Sequence, residues 1–246
     1  MTGADYRFYY WPQIQGRGEF VRLVLEDAGA AYVDVARLPE SEGGGMPALL
    51  DLLQRSDTGT PPFAPPVLQD GEIFIAQTAT ICRYLGMRHG LAPEDESGQW
   101  QAEHLQLTIA DFVDEIHDTH HPIAGALYYE DQKSESLRRA ASFRNERLPK
   151  FLGYFERVLE RSDGGWLVGS RCSHVDLSLF QIVSGLAYAF PNTLQNARES
   201  HHRTIDLHDR VAARPSIAAY LESDRRIPFN QHGVFRHYPE LDAGSS

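Results

Sequence analysis

The chain has 246 residues, 42% of them hydrophobic, enough for one large domain or two small ones with real cores. A net charge of −11 disfavours nucleic acid or an anionic membrane as the main partner, and no apolar run approaches the roughly 18 residues needed to span a bilayer. Two distant cysteines, Cys82 and Cys172, and no charged-then-apolar signal after Met1 predict a soluble, cytoplasmic protein without a disulfide framework.

In chain order, Tyr6, Phe8 and Tyr10 alternate with Arg7 and Tyr9, which is strand spacing, and Trp11-Pro12 ends the run. Residues 13–18 form a polar, glycine-bearing loop. Phe20, Leu23, Val24 and Ala28 then make a helical stripe that stops at Gly29, and residues 32–36 read as a second strand. The β-α-β order predicts a parallel pair joined by a helix. Residues 38–62 are rich in Pro, Gly and Ser, with one short helix around Leu49 to Leu53.

Next come Pro65-Pro66, a strand from Val67, a turn at Asp70-Gly71, and a second strand at Ile73 to Ile75. A helix follows with Ile81, Tyr84 and Leu85 on one face. Thr78 reads as its N-cap, so free N–H groups and a positive dipole end would face a carboxylate there. Residues 90–98 read as a linker.

Everything after Trp100 is helical in pattern. Leu105, Ile109, Phe112, Val113 and Ile116 share one face, and residues 140–159 carry Phe143, Leu148, Phe151, Phe155 and Leu159 at helical spacing. Ser173 and Asp176 are spaced as a capping box before an almost wholly apolar helix, which belongs in the middle of a bundle. Two further helices span 205–213 and 215–221, and an irregular tail follows. The expected fold is α+β: residues 1–89 a β-α-β-β-α domain, residues 99–230 an all-helical domain, and residues 231–246 a tail.

This layout resembles the cytosolic glutathione transferase family over about residues 5–228. Tyr10-Trp11-Pro12 with Gly16-Arg17 resembles the catalytic-tyrosine strand end of the pi, sigma and mu classes. Pro66-Val67-Leu68 with Gln77-Thr78 resembles the cis-proline and the Gln-Ser/Thr pair that grip glutathione, and residues 166–176 resemble the buried helix start of the second domain. The resemblance implies a thioredoxin-like first domain and transfer of the glutathione thiol to a small hydrophobic electrophile. Glutathione is then a co-substrate, and no cofactor is implied.

A free thiol ionises near pH 8.5, and a hydroxyl donated to sulfur favours the thiolate at neutral pH. Tyr10 is the catalytic candidate over Tyr9 and Tyr6, because it directly precedes the aromatic-proline pair. By resemblance, Gln77 and Thr78 hold the γ-glutamyl end, with Arg17 adding charge, and Pro65, Pro66 and Val67 hold the cysteinyl unit. Family members borrow a carboxylate from a second subunit, which implies a homodimer; Glu115 matches by register and Asp114 comes second. The acceptor pocket is expected near Trp11, Ile116, His120 and Phe229.

Three departures stand out. Pro65 has no N–H to offer the cysteinyl unit. The loop after Tyr10 is one residue longer than the common pattern, with Gln15 where arginine is usual. Residues 38–60 offer no clear Trp/Lys pair for the glycyl carboxylate. His117, His120 and His121 cluster, but no further ligand pattern supports a metal, and no cysteine between Tyr10 and Gly18 supports redox chemistry. The alternatives are a glutathione-dependent isomerase or peroxidase at the same site, or a non-catalytic binding protein.

Overall fold

Alternation in the first strand decides which way the sheet faces. In the computed structural model, described here over residues 6–55 and 59–243, β1 (Tyr6–Tyr9) sends Tyr6 and Phe8, with Tyr10 just beyond it, into the main core. Tyr9 points the other way, into a smaller core with Val35, Leu49, Leu52 and Val67. The main core is filled by α1 (Gly18–Asp27), and α2 (Gly45–Gln54) covers the opposite face. β2 (Tyr32–Asp34) runs parallel to β1, as the helical crossover requires.

β3 (Val67–Asp70) and β4 (Ile73–Ala76) complete a four-stranded sheet in the order β2-β1-β3-β4. β3 is antiparallel to both neighbours, with Val67 opposite Tyr9 and Ala76. Asp70 pairs with Ile73, so the turn is Gly71-Glu72, one residue later than the sequence suggests. α3 (Thr78–Arg88) follows, and residues 89–95 connect it to the second domain. The reading of Met1 to Asp5 as lacking a signal lies outside the described residues.

α4 (Glu96–His117) starts inside the expected linker because the Asp95 carboxylate accepts the Gly98 N–H at 2.8 Å. The helix expected over 140–159 lies within a continuous helical run, α5 (Lys133–Ser142) passing through a π turn at Phe143–Arg147 into α6 (Leu148–Glu160). Pro149 accounts for the π turn, since it has no N–H for the ladder and widens the turn before it. α7 (His174–Ala189) runs through the centre of the bundle. Its capping box is made by Ser173, whose N–H and Oγ both donate to Asp176 at 2.8 Å.

α8 (Pro191–Ala197), α9 (His202–Ala212) and α10 (Pro215–Leu221) close the bundle. The sequence reading missed α8, which starts on a proline that suits a first helical position. The two domains are joined by charge as well as by apolar packing. Arg22, fully buried, donates to Asp34 at 2.8 Å and to Glu19 at 3.2 Å. Glu19 also accepts from the Tyr220 hydroxyl and from Arg226, each at 2.7 Å. The set is paired in charge, though Arg22 Nη2 and Asp34 Oδ1 are buried without a hydrogen-bond partner among the described residues.

Candidate functional site

The end of β1 and the start of α3 meet at the mouth between the domains. Tyr10 is 4% exposed, packed under the loop that follows it. Gly16 and Gly18 make that packing possible: a β-carbon on Gly16 would lie 2.2 Å from the Tyr10 hydroxyl oxygen, and one on Gly18 would lie 2.4 Å from its ring. The Arg17 N–H donates to the Tyr10 hydroxyl at 2.8 Å. The oxygen is thus held as an acceptor while its own proton has no acceptor among the described residues. Burial pushes the Tyr10 pKa up, and the N–H groups of Arg17 and Gly18 only partly oppose this, so the phenol stays protonated at neutral pH.

α3 begins in strain. Gln77, not Thr78, occupies the N-cap position, with φ 71° and ψ 120°. Thr78 is the first helical residue, and its hydroxyl donates to the Arg17 carbonyl at 3.4 Å. The Ile81 N–H bonds the Gln77 carbonyl, so the N–H groups of Thr78, Ala79 and Thr80 lie in the unpaired first turn. These three residues, with Gln77, Arg17, Phe20 and Asp114, line a cleft of about 300 Å³ between the domains. Arg17 and Asp114 form an ion pair on its wall. Positive dipole end, guanidinium and carboxylate together suit a zwitterionic amino-acid group.

The other expected site residues fall into two groups. The Pro65–Pro66 bond is cis, and Val67 opens β3 fully buried. Glu115 does not line the cleft: Arg139 and Arg147 each hold its carboxylate at 2.7 Å. Asp114, the second choice, pairs with Arg17 within one chain, whereas the expectation was a carboxylate lent by a second subunit. Trp11 is half-buried between the two cores. Ile116 and His120 are each 1% exposed, so they are packed inward rather than open to a ligand. His120 Nε2 contacts the Val234 carbonyl at 2.8 Å, and Phe229 stacks on Tyr188 at 5.0 Å.

Burial, helped against protonation by Arg236, pushes His120 to about 2 and His121 to about 4, so both are neutral near pH 7. Among the described residues no group of three or more His, Cys, Asp or Glu could hold a metal ion. Cys82 and Cys172 are both buried, and burial pushes both thiols up, Cys82 to about 12. Neither is a thiolate at neutral pH. A larger depression of about 910 Å³, lined by His104, Arg157 and Arg161 among others, shares no residue with the cleft. Among the described residues, no helix is long and apolar enough to cross a membrane.

Residues 117–224 match the family profile "Glutathione S-transferase, C-terminal domain". The chain is 25% identical to glutathione S-transferase of Plasmodium falciparum (isolate 3D7), over 79% of this chain and 86% of that one. It is 27% identical to glutathione S-transferase P 1 of Xenopus laevis, over 90% and 93% of the two chains. The solved structure of NaGST-2 superposes with a TM-score of 0.67 at 24% identity, covering 92% of this chain and 98% of the other.

Proposed function

We propose that this chain, similar to glutathione S-transferases over most of its length, is a cytosolic glutathione transferase in which Tyr10 activates the thiol of glutathione for attack on a small hydrophobic electrophile. The observation that carries this reading is the Tyr10 hydroxyl: its oxygen accepts from Arg17 N–H at 2.8 Å and no described residue accepts its proton, although Tyr10 is 4% exposed and does not itself line the cleft. A donated O–H stabilises a thiolate more than a thiol, so it lowers the thiol pKa and raises the reactive fraction at neutral pH. No proton has to leave the tyrosine, which fits its raised pKa.

The γ-glutamyl carboxylate takes the first-turn N–H groups of α3 and the Thr78 hydroxyl, with Gln77 beside it. The ammonium group faces Asp114, which exchanges part of its bond to Arg17 for the ligand. The cysteinyl unit lies along Pro65, Pro66 and Val67, where Pro65 offers a carbonyl and no N–H. Exposed Ile73 on the edge strand β4, Met87 on α3, and Trp100 and Leu107 on α4 form apolar surface on neighbouring elements. We assign this face to a homodimer contact.

Calorimetric titration with reduced glutathione tests the binding site, and the pH–rate profile of Tyr10→Phe with a chlorinated aromatic tests the chemistry. Binding in the micromolar-to-millimolar range, weakened by Thr78→Ala, and a Tyr10→Phe profile displaced to higher pH are the expected results. An unchanged profile removes Tyr10 from the mechanism. Pro65 favours a second reading, binding without turnover: one hydrogen bond to the cysteinyl unit is missing, a loss of about 0.5–1.5 kcal/mol. Saturable binding with no conjugation of any aryl halide or peroxide would select it.

A further inference from the structure

We infer that a buried amide pair, Gln15 and Gln181, positions the thiol-activating loop over Tyr10 by fastening it to the helical domain; the inference rests on the Tyr10 reading above. The loop at 13–17 is polar and carries a glycine, yet Gln15 is 4% exposed. Its Nε2 donates to the Ile227 carbonyl. Its Oε1 accepts from Gln181 Nε2 at 2.8 Å. Gln181 is fully buried within α7, and its own Oε1 accepts from Arg226 Nη2 at 3.2 Å. Arg226 in turn donates to Glu19, in the first turn of α1, at 2.7 Å.

Donors and acceptors alternate along this chain, so each amide has one workable orientation. Turning the Gln15 amide over would set its oxygen against the Ile227 carbonyl and its NH₂ against that of Gln181. The loop has little slack on its other side. Gly16 and Gly18 sit directly on Tyr10, and Arg17 between them supplies the N–H to its hydroxyl. A shift of Gln15 therefore carries the Arg17 N–H away from the phenol oxygen. Interdomain adhesion is already provided elsewhere, by Glu19 with Tyr220 and by Asp27 with Arg214 at 2.7 Å on two oxygens. The amide pair adds what those contacts do not, a fixed height of the loop above Tyr10.

The test uses the full chain with Gln181→Met, Gln15→Ala and Tyr10→Phe. It reads the pH dependence of kcat/KM, ultraviolet titration of the bound thiolate, and calorimetric Kd for reduced glutathione. The expected result for either glutamine variant is a bound-thiol pKa higher by about half to one unit, seen as a roughly threefold to tenfold loss of kcat/KM below the midpoint. Measured below the bound-thiol midpoint, where binding is not linked to ionisation, the Kd rises by less than the rate falls, because the first-turn N–H groups of α3 stay in place even though Arg17 shifts with the loop.

Folded glutamine variants with an unchanged pH profile overturn the inference. So does a fall in affinity proportional to the fall in rate, which marks general loosening. If Gln181→Met does not fold, Gln15→Ala alone carries the test, since it leaves α7 unaltered in sequence and keeps the Gln181 bond to Arg226. A Tyr10→Phe profile that moves while both glutamine profiles stay put refutes this inference alone. A Tyr10→Phe profile that does not move refutes the thiolate reading and this inference with it.

Discussion

Gln77 has a backbone conformation that L-residues rarely adopt, φ 71° with ψ 120°, at the rim of the proposed glutathione site. Holding a residue with a β-carbon there costs about 1–3 kcal/mol. At an ordinary position, replacing alanine by glycine lowers stability by about 0.4–1 kcal/mol through the unfolded chain. Here the order should invert. Gln77→Ala keeps the strain and loses the side chain, whereas Gln77→Gly loses both. The preference of the N-cap position for glycine over alanine acts in the same direction.

Gln77→Gly should therefore be the more stable of the two variants by about 1–2 kcal/mol, read as the difference in urea midpoints multiplied by the common m-value. Both variants remove the same amide, so both should weaken glutathione by a similar factor, a few-fold to about tenfold. Equilibrium urea unfolding followed by tryptophan fluorescence gives the first quantity, and calorimetry gives the second. A Gln77→Ala variant as stable as Gln77→Gly would refute the strain argument. Undiminished affinity in both would refute the assignment of the side chain to the ligand.

Gly18→Ala places a carbon 2.4 Å from the Tyr10 ring, so the ring must move by about 1 Å. Turnover should fall by one to two orders of magnitude while glutathione Kd changes by less than about threefold; steady-state kinetics beside calorimetry separates these. His174 is 1% exposed in the core, its Nδ1–H bonded to the Leu91 carbonyl at 3.0 Å, and burial pushes its pKa down to about 4. The unfolded chain then binds the extra proton first, so its contribution is intact above about pH 6.5 and is lost as pH falls through about 4. Urea melts should lose about 2 kcal/mol between pH 7 and 4.5 from this residue, and His174→Gln should flatten that slope; an unchanged slope refutes it. Gel filtration with light scattering should give a dimer that Trp100→Asp weakens, and a monomer from the unaltered chain would refute the assigned contact face.

Much of the fold was legible because its signals are local. Alternation fixed the faces of β1, the Asp-Gly pair marked the hairpin, and Ser173 with Asp176 marked the start of α7. The misreadings came where one residue's chemistry outranked a periodic pattern. Pro149 puts a π turn into a stripe that otherwise reads as a regular helix, and Asp95 starts α4 inside a polar stretch. At the candidate site, motif order named Tyr10, Arg17, Gln77 and Thr78, and the fold sets that strand end beside that helix start. The pairings of Asp114 and Glu115 within the chain were not legible, since both lie within one turn of α4. Only the arginines at 139 and 147, distant in sequence, decide that Glu115 is occupied. Gln181 was equally hidden, a single amide in an apolar run whose partner is 166 positions away.

The loop over Tyr10 is fastened to Ile227, 212 positions later, and His120 bonds the Val234 carbonyl from the same returning tail. The ribosome delivers Tyr10 long before Ile227 and Val234. The sheet can pair its strands in that interval, but the loop over Tyr10 acquires its anchors only when the stretch after α10 folds back on it. The corner around Tyr10 is therefore assembled later than the sheet that carries it.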